Sequence, residues 1–75
     1  MAFNNEVTEV VRYIEKNDRG DSIVVSRIND KESFKTVAID IRQYYNVDGS
    51  PQPTRKGIRI PYSKFKEVLE VLNSI

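Results

Sequence analysis

Hydrophobic and polar positions alternate most regularly over residues 36–45. Val37, Ile39 and Ile41 point one way, and Thr36, Asp40 and Arg42 the other. That period of two marks a strand with one buried and one polar face. Residues 22–28 are rich in β-branched side chains, with Asp18-Arg19-Gly20-Asp21 before them and Asn29-Asp30-Lys31 after them. Turn chemistry on both flanks predicts a second strand there. Residues 57–60 predict another short strand, with Ile58 and Ile60 facing inward. Between the 36–45 and 57–60 strands, residues 46–53 carry an Asp-Gly pair and two prolines and read as a loop.

Pro61 ends the last strand and opens a helix. Phe65, Val68, Leu69, Leu72 and Ile75 recur at helical spacing, and Val71 widens the stripe. Phe65, Val68 and Leu72 are expected to pack on the sheet. The stripe stays apolar to the last residue, so Leu69, Leu72 and Ile75 are expected at a contact with a second subunit. The first segment fits two patterns. Val7, Val10, Val11 and Ile14 have helical spacing. Their residue types favour a strand, and the Asn17-Asp18-Arg19-Gly20 turn suits a hairpin. Periodicity alone leaves both open.

With 75 residues and 39% hydrophobic content, the chain is one small domain. A chain this short buries only ~60% of the surface it exposes when unfolded. Such a core usually needs a staple. The sequence has no cysteine and no histidine, which removes disulfides, thiolate ligands and the usual metal ligand. A second copy of the chain remains, and a homodimer is the expectation. No run approaches ~20 apolar residues, so no membrane span is expected. The first residues lack the charged and apolar regions of a secretory signal, and an intracellular location is the default. Residues 1–5 are expected to be a flexible lead and residues 6–75 the folded domain.

The net charge of +1 conceals an asymmetry. Residues 42–66 hold Arg42, Arg55, Lys56, Arg59, Lys64 and Lys66 against Asp48 alone. Such a block is usually a solvated face, and it also suits a polyanion. Catalysis lacks its parts: no histidine is present to activate a serine, and no Gly-rich phosphate loop occurs. Asp18, Asp21, Asp30, Glu32 and Asp40 match no calcium-loop spacing, and turn roles explain the aspartates at 18, 21 and 30 better. No enzyme, metal or cofactor is therefore expected. Single-stranded nucleic-acid binding needs cations along a backbone and aromatic faces for unstacked bases. Arg42, Tyr44 and Tyr45 close one strand, and Arg55, Lys56 and Arg59 flank the next. Hairpin pairing would bring both groups to one edge of the sheet.

The run Ile39-Asp40-Ile41-Arg42-Gln43-Tyr44-Tyr45, a Pro-containing loop, Arg55-Lys56-Gly57-Ile58-Arg59-Ile60 and a terminal amphipathic helix together resemble the positive cofactor four family of transcriptional coactivators. The chain also looks like that family's small bacterial and phage relatives. The likeness covers roughly residues 34–72. It implies an α+β fold, a curved four-stranded antiparallel sheet followed by one helix, dimerised through helix and sheet, with the first segment a strand. It also implies a non-enzymatic protein that binds single-stranded DNA or melted duplex in grooves on the sheet, with RNA a further candidate partner that the sequence does not separate from DNA. The family's binding positions fall on Arg42, Tyr45, Arg55, Lys56 and Gly57, and less directly on Arg27, Phe34 and Lys35. Gly57 would let the backbone approach a nucleic-acid strand closely.

Three departures stand out. Where the family commonly has tryptophan this chain has Tyr45, a smaller stacking face, and Gln52 stands where a basic residue often precedes the loop proline. The long Ser- and Lys-rich regulatory arm does not occur within these 75 residues. The likeness thus implies a bare binding module of a bacterium or phage, cytoplasmic there and nuclear only in a eukaryote. A protein-interaction module using a sheet edge or the helix face is the alternative. Strict alternation puts Arg42 and Tyr44 on one face and Tyr45 on the other. Joint contact of Arg42 and Tyr45 with one ligand then requires a bulge near Gln43 or a groove that wraps the sheet edge.

Overall fold

The structure, a computed structural model, describes residues 5–75. The proposed flexible lead falls almost entirely outside the described residues. Four strands, β1 (Glu6–Glu15), β2 (Ser22–Asp30), β3 (Thr36–Val47) and β4 (Ser50–Pro61), are followed by one helix, α1 (Tyr62–Asn73). The strands form a single antiparallel sheet in the order β1-β2-β3-β4. The α+β class, the four-stranded sheet and the terminal helix are those the sequence leads one to expect, and the ambiguous first segment is a strand.

The segment read as a loop is not one. Residues 46–53 belong to a hairpin whose turn is only Asp48 and Gly49, with φ of 51° and 82°. Positive φ at both central residues is the type I′ geometry that matches strand twist. Pro51 and Pro53 lie within β4, opposite Asn46 and Tyr44. β4 is an outer strand, where a missing N–H need not break a ladder bond. Prolines that signal a loop in an interior strand are tolerated at this edge.

Cross-strand pairing sorts the side chains into two faces. One face carries Tyr13, Val24, Ser26, Ile28, Ala38, Asp40, Arg42, Tyr44 and Arg59, linked through pairs such as Tyr13–Val24, Val24–Arg42, Ser26–Asp40 and Asp40–Arg59. The other carries Ile23, Val25, Ile39, Ile41, Gln43, Ile58 and Ile60. Glu6 on β1 and Arg59 on β4 bond at 3.0 Å across the first face, although outer strands of a flat sheet would stand roughly 14 Å apart. That face is therefore concave.

The helix contacts β3 and β4. On those strands the convex-face pair Ile39 and Ile60 is buried, and Phe65 and Val68 are the half-buried positions of the helix. Ile58, expected to face inward, is 59% exposed, and Leu72 is 50% exposed. No helix residue is fully buried, because a single helix covers only one end of the convex face. The expected division of β3 into one buried and one polar face also fails. Val37 is exposed while Asp40 is buried, since curvature encloses the floor of the concave side. Val24, Ile28 and Ala38 form the apolar part of that floor.

Candidate nucleic-acid interface

Arg42 and Tyr45 lie on opposite faces. β3 runs in unbroken register against β2 from Arg27–Ile39 to Ser22–Tyr44, so alternation holds through Arg42, Gln43 and Tyr44. A bulge does occur at Gln43, but on the partner strand: Arg42 pairs with Gly57 and Tyr44 with Pro53, leaving Thr54, Arg55 and Lys56 opposite Gln43 alone. Thr54 fixes this bulge. Its hydroxyl donates to the Gln43 carbonyl at 2.7 Å and accepts the Lys56 N–H at 3.1 Å. Arg42 reaches from the concave side to the Thr54 carbonyl at 3.0 Å. Bulges re-aim side chains beside functional sites, and this one presents Arg55 and Lys56.

Lys56 and Tyr45 meet in a shallow basin of about 650 Å³ whose rim also holds Lys16, Arg19, Asp21, Gln43 and Asn46. Tyr45 is 44% exposed. Lys16 donates to the Gln43 side-chain oxygen at 2.8 Å. Two cations from the β1–β2 turn thus join one from the β4 bulge around an open aromatic ring. Lys16 and Arg19 are the residues that sequence reasoning missed. Their signal was the hairpin itself, because the turn after β1 must lie at the same end of the sheet as the turn after β3.

Arg42 has a different setting. Its guanidinium binds the buried Asp40 through two bonds, Nε to Oδ2 at 3.0 Å and Nη2 to Oδ1 at 2.8 Å. The hydrogen bond to Asp40 holds the Arg42 pKa above its ordinary value, as expected for a bidentate pair. Arg59 stands 4.0 Å from the same carboxylate and pairs with Glu6. Tyr44 packs edge-on against Tyr13, with ring centroids 6.2 Å apart, and burial raises the pKa of its phenol.

The remaining expected contacts are dispersed. Arg27 pairs with Glu9 at 3.3 Å. Phe34 and Lys35 sit in the turn between β2 and β3, at the other end of the sheet. That turn is about 30 Å from Tyr45 along β3 at the usual rise per residue. Phe34 is 82% exposed and has a φ of 61°. At Gly57 the structure shows a close approach of β3 itself: an added Cβ would lie 2.6 Å from the Ile41 carbonyl oxygen and 2.7 Å from the Arg42 Cα. Leu69, Leu72 and Ile75 are all exposed on or beyond the helix. Among the described residues no group of acidic side chains is placed to hold a metal ion.

The Asp-Ile-Arg strand and the bulged Arg-Lys-Gly strand are neighbours in the antiparallel sheet, and one helix follows them. The family model Transcriptional Coactivator p15 (PC4) matches residues 28–71. The chain belongs to the PC4 family. That match runs from the end of β2 almost to the end of α1 and takes in Tyr45, Arg55, Lys56 and Gly57. It leaves out β1 and the turn that carries Lys16 and Arg19. No curated protein and no solved structure matches the chain. The family is one of nucleic-acid-binding, non-enzymatic transcriptional coactivators.

Proposed function

We propose that this protein binds single-stranded DNA as a homodimer, with Tyr45 stacking a base and Lys56, Arg55, Lys16 and Arg19 meeting phosphates. The observation that carries the reading is the basin at Tyr45: an open aromatic ring beside Lys16, Arg19 and Lys56. Stacking on an aromatic face with cations tracking the backbone is how single strands are held without sequence readout. Tyr45 is the better stacking residue, because Tyr44 is packed against Tyr13. Arg42, tied to Asp40, supports the bulge and has fewer donors to spare for a phosphate. Phe34 and Lys35 offer a second contact at the far end of the sheet, and Arg27 a weaker one because of its pairing with Glu9. Melted duplex and RNA present the same exposed bases and backbone. The setting is transcription, replication or repair in a bacterial or phage-infected cytoplasm.

A second copy fits the uncovered apolar surface. Ile58, Leu69, Val71, Leu72 and Ile75 are between 43% and 95% exposed. Val68, Val71 and Leu72 with Lys64 and Glu67 line an apolar groove of about 450 Å³ along the helix. The same bare helix favours one competing reading, docking of a different protein there.

Anisotropy titration of a labelled thymidine oligomer at several salt concentrations tests the proposal. Lys56→Ala should weaken binding and flatten the log-affinity against log-salt slope by roughly 0.7. Tyr45→Ala should cost ~1–3 kcal/mol with that slope unchanged. Equal or tighter binding to paired duplex at the same salt refutes the single-strand preference, and no binding at low salt refutes the reading and favours protein docking. Light scattering at micromolar concentration should give the dimer mass, and a monomer would refute that part.

A further inference from the structure

We propose that Asp21 is a positioning residue for this interface, locking the β1–β2 turn onto β3 so that Tyr45 is held beside Lys16, Arg19 and Lys56. The inference rests on reading that basin as the nucleic-acid contact. The last β2–β3 pair is Ser22 with Tyr44, so beyond it β3 has lost its β2 neighbour. Asp21 replaces that neighbour. Its Oδ1 accepts the backbone N–H of Asn46 at 3.2 Å, one residue past Tyr45. Its Oδ2 accepts from the Asn17 amide at 3.1 Å and stands 3.5 Å from the Arg19 guanidinium.

The turn is braced from the other side as well. The Asn17 Oδ1 accepts the backbone N–H groups of Arg19 at 3.0 Å and Asp21 at 3.3 Å. The Asn46 amide donates to the Arg19 carbonyl at 3.1 Å. Gly20, at φ +89°, lets Asn46 come so close that an added Cβ would stand 2.8 Å from its Nδ2. Asn46 is thus gripped through both backbone and side chain, and Tyr45 is fixed next to it. None of Asn17, Gly20 or Asp21 lies in the segment matched to the family.

Charge makes the role testable by sign. Among the described residues, Asp21 is the one carboxylate on a rim that carries Lys16, Arg19 and Lys56. A carboxylate beside a polyanion site repels the ligand. If Asp21 were only a surface charge, removing it would tighten binding. If it positions Tyr45, removing it weakens binding despite the gain in positive potential.

The experiment uses the full chain and a labelled thymidine 20-mer, with Asp21→Asn, Asn17→Ala, Tyr45→Ala and the Asp21→Asn/Tyr45→Ala pair, each checked for folding by circular dichroism. Asp21→Asn should weaken binding roughly five- to tenfold, and the double variant should bind no worse than about Tyr45→Ala alone, because the two act through one contact. Unchanged or tighter binding by folded Asp21→Asn, or losses that multiply in the double variant, overturns the proposal. If Asp21→Asn does not fold, Asn17→Ala, which keeps the carboxylate but removes the amide that holds its Oδ2, should weaken binding roughly threefold, and unchanged affinity there overturns it. Failure of the unsubstituted protein to bind the 20-mer at low salt refutes the basin reading itself, a separate result.

Discussion

Glu6 and Arg59 lie on the two outer strands of the sheet, yet their side chains meet at 3.0 Å. Arg59 pairs with Asp40, Asp40 with Ser26 and Ser26 with Val10, so the two residues are also offset along the strands. Only a strongly curled sheet closes both gaps. The curl encloses Asp40, which Arg42 grips bidentately and Arg59 approaches at 4.0 Å. The charged network is therefore part of the floor of the fold, not a spare patch of cations.

The members of that network should differ in weight. The Glu6 and Arg59 side chains are 27% and 38% exposed, and partly exposed pairs contribute little, so Glu6→Ala should cost only ~0–1 kcal/mol. Asp40 is 8% exposed at its side chain, and removing it strands Arg42 without its partner. Asp40→Ala should cost ~3–5 kcal/mol. Urea melts of the two variants check this, and equal midpoints would contradict it.

Gly57 faces the backbone of β3 more closely than any side chain allows. An added Cβ would sit 2.6 Å from a carbonyl oxygen, and backbone cannot swing aside as a side-chain tip does. Gly57→Ala should cost ~1–3 kcal/mol through forced displacement of β4, visible as a lowered melting temperature with no nucleic acid present. A variant of unchanged stability that binds poorly would instead place the glycine's role at the ligand.

The sheet was legible where a single period governs a segment. Residues 36–45 alternate as a strand, residues 22–28 are β-branched between turn residues, and the stripe from Phe65 to Ile75 turns as a helix. β1 set helical spacing against strand-type residues, and its assignment needed the family likeness. The 46–53 hairpin was obscured by prolines whose tolerance depends on β4 being an outer strand, which is a property of topology. The candidate site was half legible. Tyr45 and Lys56 follow from the matched motif, but the basic run over residues 42–66 is not one patch. Alternation sends Arg42 and Arg59 to the concave side, the bulge exposes Arg55 and Lys56, and the helix takes Lys64 and Lys66. Lys16 and Arg19 arrive from a distant stretch of chain through hairpin register, which composition cannot report.

Acid should unfold the protein through its turn aspartates. Asp21 is held below its ordinary value of 3.8 chiefly by the Asn17 amide, with the Asn46 N–H adding to it. Asp30 is held below the same value chiefly by the Ser33 N–H. A carboxyl whose folded pKa is depressed contributes stability that is fully present above the unfolded value and is lost as pH falls through the folded one. With no histidine in the sequence, thermal melts should be flat from pH 7 to about 5 and fall below about pH 4. Asp21→Asn and Asp30→Asn should each make that acid limb shallower. A drop in melting temperature between pH 7 and 5.5 would contradict the assignment.

Phe34 holds a conformation that its own side chain disfavours. Its φ of 61° is the left-handed region, which costs an L-residue roughly 1–2 kcal/mol relative to glycine. The ring returns nothing to the fold, being 82% exposed. The turn is secured without it. The Asp30 carboxylate accepts the N–H groups of Glu32 at 3.2 Å and Ser33 at 2.8 Å, and the Asp30 carbonyl accepts the Phe34 N–H at 2.9 Å. Phe34→Gly should therefore raise stability by about 1 kcal/mol. If the ring is a second stacking face, the same variant should weaken single-strand binding by ~1–3 kcal/mol while leaving the salt slope unchanged. Opposite signs for stability and affinity separate a ligand contact from a structural aromatic. A variant that loses stability would show that the ring packs in the folded state. One that gains stability and binds as tightly as the parent would remove Phe34 from the interface and leave the basin at Tyr45 as the stacking site.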